Sequence, residues 1–149
     1  MKKNLFTTAF CFSTSLIFSQ SFFIDSTRNY FCHTFSIVAR DSVTGEMGAA
    51  VQSHWFSVGS VVTWAEAGVG AVATQSLVNP SFGVRGLALL KQGNTPKEVV
   101  EKLAASDTGR EFRQLGVIDT KGNAFSYTGK NCIPEARSEE HTSELQSQR

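Results

Sequence analysis

The chain has 149 residues, 41% hydrophobic and 18% charged, a balance that permits a packed core and excludes a disordered chain. Between Gln20 and Ala136 ten Lys and Arg face ten Asp and Glu. That neutrality excludes the basic footprint of a nucleic-acid binder and the cationic helix of a membrane-surface protein.

From the N-terminus, Lys2 and Lys3 precede a largely apolar, uncharged run from Leu5 to Phe18, the pattern of a secretory signal peptide over residues 1–19, cleaved after Ser19. The run is short and rich in Ser and Thr for a membrane span, and a retained N-terminal anchor is the alternative to cleavage. The sequence therefore predicts an exported protein, periplasmic or secreted, with no membrane span once the signal is removed. Residues 20–32 read as a linker. Cys32 and Cys132 would then meet an oxidising compartment; a disulfide and two free, partly buried thiols are both compatible with the sequence.

Alternation and β-branched residues predict a strand over Thr34–Ala39, a turn over Asp41–Gly45 and a returning strand over Glu46–Ser53. Small residues in that second strand leave room for another layer. Beyond a loop containing His54, Trp55 and Phe56, strands are expected over Ser60–Trp64 and Val69–Gln75. The period then changes. Pro80 precedes a helical pattern of Val84, Leu87, Ala88 and Leu90, which Gly93 stops. Thr95-Pro96-Lys97-Glu98 is a capping-box sequence opening a second helix, with Val99, Val100, Leu103 and Ala104 on one face. Gln114–Asp119 and Ala124–Tyr127 return to strand character across a Thr120–Asn123 hairpin turn. This order, strands then two helices then strands, predicts an α+β domain over residues 33–136, with both helices on one side of a largely antiparallel sheet.

Residues 137–149 are polar and without hydrophobic period. Arg137–Gln146 correspond to the codons AGA TCG GAA GAG CAC ACG TCT GAA CTC CAG, the text of a common sequencing-library adapter. The segment is accordingly expected to be non-native, and Glu139, Glu140, His141 and Glu144 are set aside as ligands. The natural chain is expected to continue beyond Ala136 with further elements of the same domain, because the body alone leaves open sheet edges.

No phosphate-binding loop, dinucleotide fingerprint, Cys-x-x-Cys or His-Glu-x-x-His occurs. Gly68-Val69-Gly70 fits a turn better than a phosphate cradle, and His33 and His54 lack spaced partners for a metal. No cofactor and no metal site are expected.

Five segments carry a family resemblance: His33-Thr34-Phe35-Ser36-Ile37-Val38-Ala39-Arg40-Asp41, Trp55-Phe56-Ser57-Val58-Gly59-Ser60, Gly68-Val69-Gly70-Ala71-Val72-Ala73-Thr74-Gln75, Asn79-Pro80-Ser81-Phe82-Gly83-Val84-Arg85-Gly86 and Cys132-Ile133-Pro134. Over residues 33–136 the chain resembles the family called domain of unknown function 1028, which is placed among the N-terminal-nucleophile (Ntn) hydrolases. The resemblance implies the N-terminal portion of an αββα sandwich: largely antiparallel sheets with helices on the outer face.

It also implies chemistry. In Ntn hydrolases a Thr, Ser or Cys opening the first strand becomes the mature N-terminus, and its own α-amino group serves as base. An α-amino pKa of about 7.7–8 suits that role. Thr34 holds the matching position. Gln52, Ser53, His54, Gln75 and Asn79 are the candidates for orienting groups or an oxyanion hole, and Arg85 is the candidate for binding a substrate carboxylate, or else a helix-surface residue. The chain departs from some Ntn enzymes in two ways. No Lys or Arg lies between Arg40 and Arg85, and Gln52 or Ser53 stands where those enzymes have a second-strand acid. Two functions follow: an exported amidohydrolase acting on a small-molecule or peptide-like substrate, or a non-catalytic cell-envelope binding or structural module of the same fold. Assembly as a homo-oligomer is open under both.

Overall fold

The computed structural model describes residues 34–134, 136 and 138. The signal peptide, the linker, His33, Cys32 with its pairing and all of the polar tail but Ser138 lie outside the described residues.

The α+β expectation is met. A two-stranded sheet pairs β1 (Phe35–Arg40) with β2 (Met47–Gln52), and a four-stranded sheet runs β3 (Thr63–Glu66), β4 (Gly70–Ser76), β5 (Arg113–Asp119), β6 (Ala124–Thr128). Every pairing is antiparallel. Helices α2 (Ser81–Lys91) and α3 (Pro96–Ala105) pack on β4, β5 and β6, while the β1–β2 hairpin packs on β3, β4 and β5. The strands thus form two stacked sheets rather than one.

The β1–β2 hairpin is fixed at its turn. Asp41 accepts the N–H groups of Val43 (2.8 Å) and Thr44 (2.7 Å) on Oδ1, and those bonds hold its carboxyl below the usual carboxylate range. The Asp41 N–H donates to the Glu46 carbonyl at 2.8 Å, and Gly45 takes a φ of 75°, where a side chain would be strained.

The Ser60–Trp64 strand expected from the β-branched residues is not what forms. One helical turn, α1 (Gly59–Val62), comes first, and β3 starts only at Thr63. Tertiary bonding overrides local preference here. The Thr63 hydroxyl donates back to the Gly59 carbonyl (3.1 Å), and the turn buries Val62 while presenting the Val61 carbonyl to the buried Thr74 hydroxyl at 3.1 Å.

The helices form as their caps predict. Thr95 Oγ1 accepts from the Glu98 N–H (3.3 Å), and Glu98 Oε2 accepts from the Thr95 N–H (2.8 Å), with Pro96 opening α3. Asn79 Oδ1 receives the Ser81 N–H at the start of α2 (3.1 Å), and Gly93, at φ 85°, follows its end. The apolar stripes of both helices meet Val72, Leu115 and Val117 around Phe82, Leu87, Leu90, Val99, Val100 and Leu103. Gly83 is required by packing: a β-carbon there would lie 1.8 Å from the Trp64 ring, so α2 rests its backbone on that indole.

Candidate functional site

Side chains alternate along a strand, so one anchored residue assigns a whole face. In the four-stranded sheet, Val72, Leu115, Val117, Phe125 and Tyr127 belong to or pack against the helix core. The register pairs Val72 with Val117 and Val117 with Phe125. The opposite parity, Ala71, Ala73 and Gln75 on β4, Gln114, Gly116 and Ile118 on β5, and Ser126 and Thr128 on β6, therefore faces the hairpin. Gly116 supports this directly, since a β-carbon there would meet Val38 Cγ2 at 4.0 Å. Small residues at 71, 73 and 116 let the sheets approach.

The same argument sorts the hairpin. Val38 faces the second sheet, so Ser36 and Arg40 do as well, and Thr34 shares their parity. Phe35 pairs with Gln52 in register, which puts Thr34 opposite Ser53. Their hydroxyls share a hydrogen bond of 2.9 Å, and Ser53 Oγ also accepts the Trp55 N–H at 3.1 Å. Thr34 and Ser53 therefore sit on the inter-sheet face. Gln52, the other residue expected to replace the second-strand acid, lies exposed on the outer face.

Direction completes the placement. Arg40, closing β1, approaches Gly122 in the β5–β6 turn, while Val38 lies at Gly116. The β1 start is thus at the same end of the stack as the β5 start, and Gln75 pairs with Gln114 while Gln114 pairs with Thr128. Thr34, Ser53, Gln75, Gln114 and Thr128 consequently share one face at one end. Gln75 Nε2 is buried there and has no hydrogen-bond partner. An unmatched buried donor costs about 1–3 kcal/mol, so such groups in native folds call for a physical reason. Gln114 Nε2 donates to Thr128 Oγ1 at 3.3 Å. This last pair was missed from sequence; a polar residue opening an otherwise apolar strand was the available signal.

The remaining candidates are engaged elsewhere. His54 is exposed, its ring 5.0 Å from that of Trp55. Asn79 is committed at both ends of its amide: Nδ2 donates to Asp107 Oδ2 (3.1 Å), and Oδ1 accepts from the Ser81 N–H and hydroxyl. Arg85 donates to the Ser106 hydroxyl at 2.8 Å on the helix surface. Beside them Asp107, also unforeseen, accepts from Arg113 Nε (2.8 Å) and the Gly109 N–H (2.7 Å). The Arg113 guanidinium, then Asn79 and Gly109, hold the Asp107 carboxyl down at about 2. Arg113 also donates to the Leu77 carbonyl. The cluster clamps the segment leaving β4, where Ser76 takes a φ of 66°.

Among the described residues no group of three or more His, Cys, Asp or Glu could hold a metal, and no helix is long and apolar enough to cross a membrane. Cys132 is a free, half-buried thiol 3.5 Å from the Arg113 carbonyl oxygen.

The model of a family of unknown function, DUF1028, matches residues 34–147. It begins at Thr34 and extends into the polar tail. The crystal structure of protein SPO2555 from Silicibacter pomeroyi, which carries the same family model, is similar at 33% identity with a TM-score of 0.66 over 68% of this chain. The chain spans about half, 48%, of that structure's length. No curated protein matches.

Proposed function

This chain belongs to DUF1028, a family of unknown function, and we propose that it is an exported Ntn-hydrolase-like amidohydrolase in which Thr34 is the nucleophile. The observation that carries the reading is the 2.9 Å hydrogen bond between the Thr34 and Ser53 hydroxyls, at the start of the first strand and between the sheets. In the reaction, Thr34 Oγ1 attacks an amide carbonyl while the Thr34 α-amino group, freed by cleavage after His33, takes the hydroxyl proton. That proton passes to the departing amine as the C–N bond breaks. Water then hydrolyses the Thr34 ester, releasing the acid and restoring the hydroxyl. Ser53 orients the nucleophile. The unmatched Gln75 Nε2 is the donor that would receive negative charge on the carbonyl oxygen, a contribution of about 3 kcal/mol where such donors have been removed from other sites.

N-terminal sequencing of the exported protein tests this. A mature chain beginning at Thr34, with amidase activity lost in Thr34→Ala, is the expected result. A mature chain beginning near Gln20 or Ser21 would overturn the self-activated nucleophile and leave a non-catalytic envelope module.

A further inference from the structure

We infer that Asp107 and Arg113 are positioning residues for Gln75, holding from the helix side of the four-stranded sheet the bend at Ser76 that aims the Gln75 amide. The inference rests on Gln75 as the donor of the proposed site. Gln75 Nε2 is buried and makes no hydrogen bond, so its direction follows from the backbone that carries it and the packing around it. No bond of its own fixes it.

That backbone bends at the next residue. Ser76 closes β4 opposite Arg113 in register, yet its φ is 66°, in the left-handed region that a residue with a β-carbon keeps only where its surroundings enforce it. The enforcing bonds lie just beyond the bend. The Arg113 guanidinium donates to the Leu77 carbonyl, and the Leu77 N–H donates to the Phe112 carbonyl at 3.2 Å. Extending Ser76 would swing Leu77 away from both partners.

Asp107 in turn fixes the guanidinium. Its Oδ2 accepts from Arg113 Nε (2.8 Å) and from Asn79 Nδ2 (3.1 Å), and its Oδ1 accepts the Gly109 N–H at 2.7 Å. The segment leaving β4 is thus held at Leu77 and again at Asn79. The side chains of Arg113 and Asp107 are only 21% and 11% exposed, so this charge-assisted bond is shielded and directional. Neither residue lies on the site's face. Arg113 shares the parity of Leu115 and Val117, which pack with the helices, whereas Gln75 and Gln114 point to the hairpin. The pair acts on Gln75 through the backbone.

A residue without that strain has no need of the clamp, and glycine takes a φ of 66° without penalty. The test follows the Gln75 side-chain amide by heteronuclear NMR in the full chain, its signal assigned by its loss in Gln75→Leu. Asp107→Asn should shift the signal and speed exchange of its protons with water roughly tenfold, the factor matching the strain of one left-handed residue. Arg113→Lys, which keeps the charge and loses the fork that spans Asp107 and Leu77, should do the same. Ser76→Gly added to Asp107→Asn should return both readings to wild type, while the urea midpoint of the double variant stays below that of Ser76→Gly alone. Aim recovered without the ion pair separates positioning from stability. Leu90→Ala, beside Gly70 at the opposite end of β4, lowers stability without touching the bend and should leave the Gln75 signal in place. An unmoved signal in Asp107→Asn and Arg113→Lys, a shift that Ser76→Gly does not reverse, or the same shift in Leu90→Ala would each overturn the inference. The N-terminus of the exported protein is read separately. A mature chain beginning near Gln20, with the NMR results as expected, would uphold the clamp and fail the nucleophile.

Discussion

The four-stranded sheet and the two-stranded hairpin lie in one stack, yet they are stabilised differently. The middle of β4 is removed from water on both faces, by α2 on one side and the hairpin on the other. No residue of β1 or β2 is fully buried; both strands alternate between half-buried and exposed along most of their length. A sheet covered on two faces draws its stability from side-chain burial. A sheet covered on one keeps its shape through ladder bonds and turn geometry, and keeps one end free for polar side chains. The contrast teaches where substitutions will register most strongly as lost stability.

The largest effect is expected in the layer beneath the four-stranded sheet. Phe82, 1% exposed in the middle of the helix core, should cost about 4 kcal/mol on truncation to alanine, measured by urea unfolding at neutral pH. A cost under about 1 kcal/mol would show that the helix layer contributes little to the fold.

Asp107→Asn should come next, at about 2 kcal/mol, because it removes a charge-assisted bond to Arg113 and unsettles the bonds of Asn79 and Gly109. Its pH dependence has a definite sign. The folded carboxyl titrates at about 2 against an ordinary 3.8, so its contribution is fully present above about pH 4 and fades as pH falls toward 2. The stability gap between wild type and variant should close across that window. A gap independent of pH would remove the ion pair from the explanation.

The smallest effect is expected on the outer face of the hairpin. Ile37 is half exposed beside Ala50 in register, so Ile37→Ser should cost less than about 1 kcal/mol in the isolated chain. A cost near that of a core residue would mean that this face is covered in solution.

The features legible in the sequence were those whose cause is local. Thr95, Pro96 and Glu98 form their capping box because all partners lie within one helical turn. Gly93 ends α2 for the same reason. Asp41–Gly45 was readable as a turn, and the alternation after Thr34 as a strand. The site was half legible. Thr34 and Ser53 could be named, but choosing Ser53 over Gln52 required the register, because neighbouring residues on a strand point to opposite faces. Gln75 could be named as a polar residue at a strand end, whereas its unmatched, buried amide depends on the hairpin packed above it. The Asp107–Arg113 clamp and the Gln114–Thr128 pair join separate elements and leave no periodic trace. In α1 the β-branched Val61 and Val62 suggested a strand, and a bond from Thr74, thirteen residues on, favoured a helical turn.

The Asp41 turn acts as a ruler for the hydroxyl pair at the other end of the hairpin. Six consecutive pairs, from Arg40 with Met47 to Phe35 with Gln52, separate it from the hydroxyls of Thr34 and Ser53. Adding or removing one residue between Asp41 and Glu46 would leave every side chain in both strands chemically intact, yet it would shift one strand by a step against the other. Thr34 would then oppose Gln52 or His54, and its hydroxyl partner would be gone. The length of a solvent-exposed loop is in this sense part of the specification of the Thr34–Ser53 hydroxyl pair.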